Sequence, residues 1–279
     1  MLAVHPALRY VTPLREGGSL PAVVETAAGP YVVKFRGAGQ GARALVAEVV
    51  VGRLAQTLGL PLPDLALVDL AEAFGRSEPD PEIQDILRAS TGLNVGLGFI
   101  EGAFPFDPLA AGDLVAPETA ADVVWLDALT TNIDRTARNP NLLVAPGAGG
   151  PELWLIDHGA ALYFHHDWAS VDEARARTPF PAIRDHVLLP FAGDIEAADA
   201  RLAPLLTDGA LGAVLDDVPD ELLLHAPPGH PAPFASAGAG RRAYLDYFRA
   251  RLAAPRAWVA EAVRAQAAGP DTTPLAYRR

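Results

Sequence analysis

The sequence predicts an α+β protein with a β-rich N-terminal part and a mainly helical C-terminal part. Two observations support this prediction. The first third of the chain consists of short apolar stretches separated by Gly- and Pro-containing turns, with one helix-like segment among them. After about residue 102 helical segments predominate, and one hairpin-like segment interrupts them.

The N-terminal part contains several predicted strands and one predicted helix. The strands are expected at Ala7–Leu14, Pro21–Thr26, Tyr31–Phe35, Leu65–Leu70 and Asn94–Ile100. A helix is predicted over Ala42–Leu58, because Gly59 with Pro61 beyond it marks a helix end. Residues 75–82 are polar and contain prolines, which predicts a loop.

The C-terminal part begins with a helix that Pro117 opens and that runs to about Thr131. Two short strands follow it and flank a Gly/Pro-rich segment, which predicts a loose hairpin. These strands are Asn141–Val144 and Glu152–Ile156. Further helices are predicted at Ile195–Leu206, Gly209–Asp216 and Arg241–Gln266, the last with a break at Pro255.

Composition excludes several functional classes. The chain of 279 residues has no cysteine, which excludes a disulfide framework, a thiolate nucleophile and a cysteine-ligated zinc. Its net charge of -12 argues against sequence-independent nucleic-acid binding, which requires a basic surface. No apolar run is long enough to span a bilayer, and the N-terminus lacks a signal-peptide pattern. No nucleic-acid or membrane partner is therefore expected, and the expected location is cytoplasmic.

The single lysine of the chain, Lys34, lies in the middle of a predicted strand. Lysine is a compact point charge, whereas arginine is a wide planar fork, so a lone lysine suggests a contact with a phosphate. Glu48 is the only acidic residue of the next predicted helix, and such an acid aims a strand lysine at ATP phosphates in kinase-like sites. Gly17, Gly18 and Ser19 are expected to form a turn between two predicted strands, where backbone N–H groups would approach phosphate oxygens.

The densest polar cluster contains Asp134 and, five residues later, Asn139, between a predicted helix and a predicted strand. In a phosphotransfer catalytic loop of this spacing, the Asp acts on the attacking hydroxyl and the Asn oxygen binds magnesium. Asp157 follows an apolar strand and precedes Gly159, like the magnesium-binding Asp of a D-F-G element. Polar turns also favour Asp and Asn, but the order of these parts is the one a kinase-type C-lobe requires.

A different enzyme class stays open at this point. The segment Gly37–Ala42 matches the G-x-G-x-x-G/A fingerprint, follows a strand and opens a helix, as in an NAD(P)-binding Rossmann unit. Asp69, the acid that would contact the ribose, lies farther along the chain than is usual. The match also assigns no role to Asp134, Asn139 or Asp157.

His165 and His166 form a second candidate metal site. Adjacent side chains of an extended segment point to opposite faces, and no spaced set of partner ligands is present. Both histidines are therefore interpreted as polar surface or segment-terminal residues.

Together the candidate residues resemble those of the HipA-like kinases, a family related to the phosphatidylinositol 3/4-kinases and to protein kinases. The resemblance rests on the runs Asn132–Asn139, Ile156–Gly159 and Tyr31–Phe35, and it covers about residues 10–165. It implies a bilobal protein-kinase-like fold with ATP between the lobes.

The resemblance also implies site roles and lobe boundaries. The N-lobe would span residues 1–100 and the C-lobe residues 101–279. ATP and Mg²⁺ would be the cofactors, with the phosphate-binding Lys34, the catalytic Asp134 and the magnesium ligands Asn139 and Asp157. Ser19 would be a candidate for autophosphorylation.

The adenine is expected near Asn94–Gly102, where a linker offers backbone N–H and C=O groups to the base. Gly98 and Ile100 are the candidate contacts in this linker. The preferred function is an ATP- and magnesium-dependent phosphotransferase that acts on a Ser/Thr hydroxyl of a protein. A small-molecule kinase with the same machinery and a nucleotide-binding pseudokinase or adaptor remain as alternatives.

Overall fold

The computed structural model describes residues 1–14, 20–39, 41–76, 78–110, 114–147, 149–226 and 229–269. Most strands precede residue 100, and most helices follow residue 116. The predicted α+β class, with a β-rich N-terminal region and a helical C-terminal part, is therefore confirmed.

The N-terminal region is built on a six-stranded sheet. Its strands are β1 (Val4–Pro6), β2 (Arg9–Pro13), β3 (Ala22–Thr26), β4 (Gly29–Lys34), β5 (Leu65–Leu70) and β6 (Gly92–Gly98). Their spatial order is β1-β5-β6-β4-β3-β2. Strand β4 lies antiparallel to both β3 and β6, and Lys34 pairs in register with Val95. The lysine is thereby fixed at the end of a central strand.

The C-terminal part combines a small sheet with most of the helices. The sheet has the order β7-β8-β9, with β7 (Phe104–Pro105), β8 (Leu142–Gly147) and β9 (Gly150–Leu155). The α-helices among the described residues are α1 (Gly41–Thr57), α2 (Pro81–Ala89), α3 (Pro117–Thr130), α4 (Glu173–Ala176), α5 (Ile195–Leu202), α6 (Asp208–Asp216), α7 (Asp220–Leu223), α8 (Ala237–Leu252) and α9 (Ala257–Ala268). Strands β8 and β9 form the predicted hairpin.

Helix α1 is buried on nearly all sides. Twelve of its 17 residues are buried, because strands β5 and β6 cover one side while α6 and α7 contact the helix from the C-terminal part. The helix ends before Gly59, whose φ of 74° suits glycine at a helix terminus. Glu48 therefore lies inside the core instead of on a solvated helix face.

The prediction of a loop over residues 75–82 is wrong at its end, because α2 begins at Pro81. The side chain of Asp80 accepts a hydrogen bond from the backbone N–H of Glu82 at 3.0 Å and caps the helix. Proline is well tolerated at the first helical position, where no N–H is needed. Ile83 and Leu87 then bury the apolar side of the helix in the smaller of two core clusters.

Two C-terminal helices differ from their predicted bounds. The helix predicted to reach Leu206 ends at Leu202 and continues as a 3-10 turn, because Pro204 cannot supply a backbone N–H. Helix α8 begins earlier than predicted, since the Ser236 hydroxyl accepts from the Ala239 N–H at 3.1 Å. The predicted break at Pro255 is confirmed and separates α8 from α9.

The larger core cluster joins α1 and the sheet to the C-terminal helices. At its far side Trp125 of α3 packs edge-on against Trp258 of α9, with the ring centroids 5.2 Å apart. The division into lobes at residue 100 stays a prediction, because α1 shares its core with residues on both sides of that boundary. Among the described residues, no helix combines the length and apolar character needed to cross a membrane.

Candidate active site

Lys34 is the centre of a charged cluster. Its Nζ donates to Oε1 of Glu48 and to Oδ1 of Asp157, each at 2.5 Å. The Lys34 side chain is 12 % exposed, that of Glu48 is 1 % exposed, and that of Asp157 is 34 % exposed. The structure therefore brings together three of the residues singled out in the sequence, and Asp157 is the one that faces solvent.

Electrostatics fix the charges in this cluster. Burial lowers the pKa of Lys34, but the carboxylates of Glu48 and Asp157 outweigh burial and leave the pKa above its usual value. Burial raises the pKa of Asp157, but Lys34 outweighs it and leaves the pKa below its usual value. Burial also raises the pKa of Glu48, and there Lys34 only partly opposes it. Lys34 is thus a cation and Asp157 an anion at neutral pH.

Asp157 follows β9 in an unusual backbone conformation. Its φ of 53° lies in the left-handed region, which is strained for a residue with a Cβ. The residue before it, Ile156, donates its backbone N–H to the Asn141 carbonyl at 3.1 Å. Oδ1 of Asp157 contacts Lys34, and the carboxylate is partly exposed, so that a group from solvent can reach it.

The loop after α3 carries Asp134. Oδ2 of Asp134 accepts from Nδ2 of Asn139 at 2.7 Å and from Nδ2 of Asn141 at 3.2 Å. Two amide groups therefore orient this carboxylate. The sequence assigns a role to Asn139, whereas Asn141 belongs to the same polar cluster and to the start of a predicted strand without a role of its own.

A buried polar network holds this loop in place, and the sequence interpretation missed it. Asp127 of α3 accepts from Nε of Arg135 at 2.6 Å, from Nε2 of His186 at 2.9 Å and from Nδ2 of Asn132 at 3.1 Å. Burial would raise the pKa of Asp127, but Arg135 and His186 hold it well below its usual range. The available signal was a single Asp within the apolar run Val123–Leu129 of this helix.

Arg135 connects the Asp134 loop to the residues around Asp157. One of its terminal nitrogens, Nη1, donates to the carbonyls of Asn141 and, at 3.2 Å, Ile156. The other, Nη2, lies 3.1 Å from Nδ1 of His158. A single guanidinium thus contacts the chain on both sides of Asp157.

The residues predicted to bind magnesium fit that ion chemically. The amide nitrogen of Asn139 is used by Asp134, which leaves its oxygen as a ligand, and Asp157 offers a partly exposed carboxylate. Within the described part of the chain, no group of three or more His, Cys, Asp or Glu side chains could hold a metal ion. Magnesium matches such a sparse set, because it typically takes one or two protein carboxylates together with phosphate oxygens and water.

The linker residues predicted to contact adenine differ in whether their backbone N–H groups are free to bind a base. The backbone N–H of Gly98 donates to the Asp64 carbonyl at 2.7 Å, so this group is not available to a base. The N–H of Phe99 is likewise used, by the Pro30 carbonyl at 3.0 Å. The half-buried Ile100 has no hydrogen bond from its N–H to any described residue. The predicted phosphate-loop residues Gly17, Gly18 and Ser19 lie outside the described residues.

The Rossmann alternative is wrong, because β4 lies antiparallel to both neighbouring strands and forms no adjacent parallel pair. Gly37 is explained by packing, since a Cβ there would lie 2.5 Å from the Cβ of Ala89 in α2. The interpretation of His165 as a polar surface residue is also wrong, although it does lie next to the end of a short 3-10 helix, Tyr163–His166. His165 is buried, with Nδ1 2.9 Å from the Tyr244 hydroxyl, whereas His166 is exposed.

Comparison with known proteins places these features in a family. Residues 13–188 match the family model described as HipA-like kinase. Among solved structures, the crystal structure of a Helicobacter pylori proinflammatory kinase, CtkA, superposes with a TM-score of 0.55 at 13 % sequence identity. The match covers 96 % of this chain and 99 % of that chain, and at this identity it shows the fold alone.

Comparison with curated proteins finds no significant match. The family model, however, spans more than half of the sequence and includes Lys34, Asp134 and Asp157. The chain therefore belongs to the HipA-like kinase family and is a kinase.

Proposed function

We propose that this kinase transfers the γ-phosphoryl group of ATP, with Mg²⁺, to a Ser/Thr hydroxyl of a protein. The observation that carries the proposal is the position of Lys34 Nζ between Glu48 and Asp157, at 2.5 Å from each. Phosphoryl transfer requires mainly positioning of the two substrates and neutralisation of charge on the phosphate oxygens. The ammonium of Lys34 can neutralise charge on the phosphate oxygens, and the partly exposed carboxylate of Asp157 can position the phosphates through a bound magnesium ion.

The two sides of the cluster have different roles in this proposal. Glu48, which is buried, holds Lys34 in place so that its ammonium contacts the ATP phosphates. Asp157 through its carboxylate and Asn139 through its amide oxygen would hold magnesium, which when bound neutralises charge on the transferred group. The expected phosphate loop at Gly17, Gly18 and Ser19 would cover these phosphates.

Asp134 is assigned to the acceptor. Asn139 and Asn141 both bind its Oδ2, so within the described residues Oδ1 is left to accept the proton of the incoming hydroxyl. Two fixed amides restrict the rotation of the carboxylate, which keeps Oδ1 aimed in one direction. Asp134 therefore serves as the positioned base.

The nucleotide base is assigned to the linker between the proposed lobes, residues 1–100 and 101–279. The N–H of Ile100 is a donor that the described hydrogen bonds leave unused, and it lies just after β6. Because β6 is the neighbour of the strand that carries Lys34, a base at Ile100 would direct its phosphates along that strand towards the lysine.

A paired experiment on Asp157→Asn and Asp134→Asn tests the proposal. Loss of charge at residue 157 should abolish turnover and weaken magnesium-dependent ATP binding. Asp134→Asn should leave ATP binding nearly intact and lower the rate by about two to four orders of magnitude. Calorimetric titration of ATP with and without magnesium, together with ADP production, measures both effects. Asp246→Asn, at an exposed position on α8, is the control.

Normal turnover in both variants would contradict the proposed roles. An equal loss of ATP binding in both would show that the division between metal ligand and base is wrong. The acceptor class is tested by transfer of γ-labelled phosphate to a mixture of proteins and, separately, to small alcohols and sugars. Label that appears only on small molecules would contradict a protein acceptor.

A further inference from the structure

His158, between Asp157 and Gly159, has no role in the mechanism described so far. Its side chain is fully buried, so it cannot touch a substrate. Its Nδ1 lies 3.1 Å from Nη2 of Arg135. A guanidinium can only donate, so Nδ1 is the acceptor and the ring carries its hydrogen on Nε2. That second nitrogen is buried and has no hydrogen-bond partner among the described residues.

The contact with Arg135 completes a clamp around Asp157. Arg135 already binds the carbonyl of Ile156, the residue that precedes Asp157. Through His158 it also binds the residue that follows. Arg135 itself is anchored by the buried carboxylate of Asp127. The same fixed cation therefore contacts the backbone before Asp157 and the side chain of the residue after it.

The backbone of Asp157 needs such a clamp. A φ of 53° is unfavourable for a residue with a side chain, and it persists only where the surrounding structure imposes it. In this conformation the carboxylate reaches Lys34 and stays partly exposed to solvent. If the clamp were released, the backbone would relax towards a more common conformation and the carboxylate would leave this position.

We propose that His158 is a positioning residue, whose Nδ1 bond to Arg135 holds Asp157 in the conformation that meets Lys34 and binds magnesium. The proposal rests on the proposed function, because it assigns His158 a task only if Asp157 is a metal ligand. This positioning role differs from a packing role, which any ring of similar volume would fulfil. Positioning requires a hydrogen-bond acceptor at the δ position of the side chain, where it can accept from Arg135.

Three substitutions separate the acceptor from the volume of the ring. His158→Asn keeps an acceptor near the position of Nδ1, because the amide oxygen is also a δ atom. His158→Gln places its polar atoms near the position of Nε2 instead. His158→Phe keeps the ring and removes both nitrogens. Each variant is measured for kcat, KM for ATP, the magnesium dependence of calorimetric ATP binding, and thermal unfolding.

We expect the Asn variant to keep kcat within about threefold of wild type, whereas Gln and Phe lower it about 10- to 100-fold. The same range is typical when a residue that supports a metal ligand is removed. The Gln and Phe variants should also need a higher magnesium concentration to bind ATP. If kcat falls as far in His158→Asn as in His158→Phe, the proposal is overturned, because the hydrogen-bond acceptor would then make no difference.

His165 provides a matched control. It is also fully buried, its Nδ1 also has one partner, the Tyr244 hydroxyl, and its Nε2 also has none among the described residues. His165→Phe should lower the unfolding temperature but leave kcat and the magnesium dependence within about twofold. If His158→Phe changes only stability, as His165→Phe does, the positioning role is refuted.

Asp157→Asn distinguishes this proposal from the proposed function. Wild-type turnover in that variant would contradict the proposed function itself. Lost turnover in Asp157→Asn with normal turnover in all three His158 variants would refute the positioning role alone. If the Phe variant does not fold, the comparison of Asn with Gln still decides, because both are polar and differ in which position they fill.

Discussion

Lys34 has two carboxylate partners, and this arrangement explains why a compact cation stands at the end of β4. Its ammonium contacts Glu48 and Asp157 at 2.5 Å each, with Glu48 almost fully buried. A guanidinium has the same charge but is wider, planar and set on a different stem. The space between the two acids therefore selects for the shape of the cation as well as for its charge.

We predict that Lys34→Ala lowers kcat/KM for ATP about 10²- to 10³-fold, the usual effect of removing one charge-stabilising donor. Lys34→Arg should not restore wild-type activity, because the larger group would displace Glu48 or Asp157. Steady-state ADP production measures both. Arg88→Lys, at an exposed position on α2, is the control for exchanging the two residue types. Wild-type turnover in Lys34→Arg would show that the single lysine is accidental.

At the residue scale, the sequence could indicate the groups whose motif spacing has a chemical meaning. Lys34, Asp134 and Asp157 were found in this way, and their roles stay predictions. Asn141 lies only seven residues after Asp134, but it has no position in the catalytic-loop motif. His186 could not be found, because its importance depends on a contact between segments that are distant in sequence. His186 is 59 residues from Asp127, the carboxylate that it helps to hold. No local pattern encodes that pairing.

At the element scale, the sequence failed to predict helix α2. This helix changes the explanation for the glycines that precede α1. Gly37 lies against this helix, close to Ala89 and to the carbonyl oxygen of Ile86. Without α2, the same glycine fitted the alternative of a dinucleotide-binding site. The signal for the helix was present in Asp80 and Pro81, but the polar composition around them favoured a loop.

We predict that Gly37→Ala lowers the free energy of unfolding by about 1–3 kcal/mol, as overpacking usually does. An added Cβ would lie 2.5 Å from the Cβ of Ala89 and 2.9 Å from the Ile86 carbonyl oxygen, and the latter cannot move without shifting α2. Urea-induced unfolding measures the change.

Gly212→Ala in α6 is the matched control, because a Cβ there meets nothing within 4 Å. This variant should be unchanged or stabilised by up to about 1 kcal/mol, since alanine favours a helix over glycine. Equal stability of Gly37→Ala and wild type would contradict the packing explanation for Gly37.

At the scale of the whole molecule, α1 connects the sheet to the C-terminal helices. Arg53 of this helix binds Asp217 at 2.6 Å, and Arg36 just before it contacts Glu221 of α7 at 3.3 Å. The sequence could predict the α+β class and most of the order of elements from periodicity and turn residues. It could not predict that α1 shares its core with α6 and α7, because a helix buried on all sides carries no directional pattern.

Stability against acid is a second property of the whole molecule. For His165 we can predict whether the free energy of unfolding rises or falls as the pH is lowered. Burial, with His166 and Arg43 nearby, lowers the pKa of His165 to about 3. In the unfolded chain its pKa returns to about 6.5. Between these two values the unfolded chain binds a proton that the folded chain does not. The free energy of unfolding therefore falls as the pH is lowered, by about 1.4 kcal/mol per pH unit for this one group.

Other groups titrate in the same range, so the prediction concerns a difference between variants. His165→Phe should be less stable than wild type at pH 7, where it lacks the bond to Tyr244. Because the variant has no histidine to protonate, this deficit should shrink by about 2 kcal/mol between pH 6 and pH 4.5. Tyr244→Phe removes the same hydrogen bond but keeps His165, and burial raises the pKa of Tyr244 far from this range. Its deficit should stay nearly constant in urea unfolding at the same pH values. A His165→Phe deficit that is equally independent of pH would show that His165 is not held neutral in the folded protein.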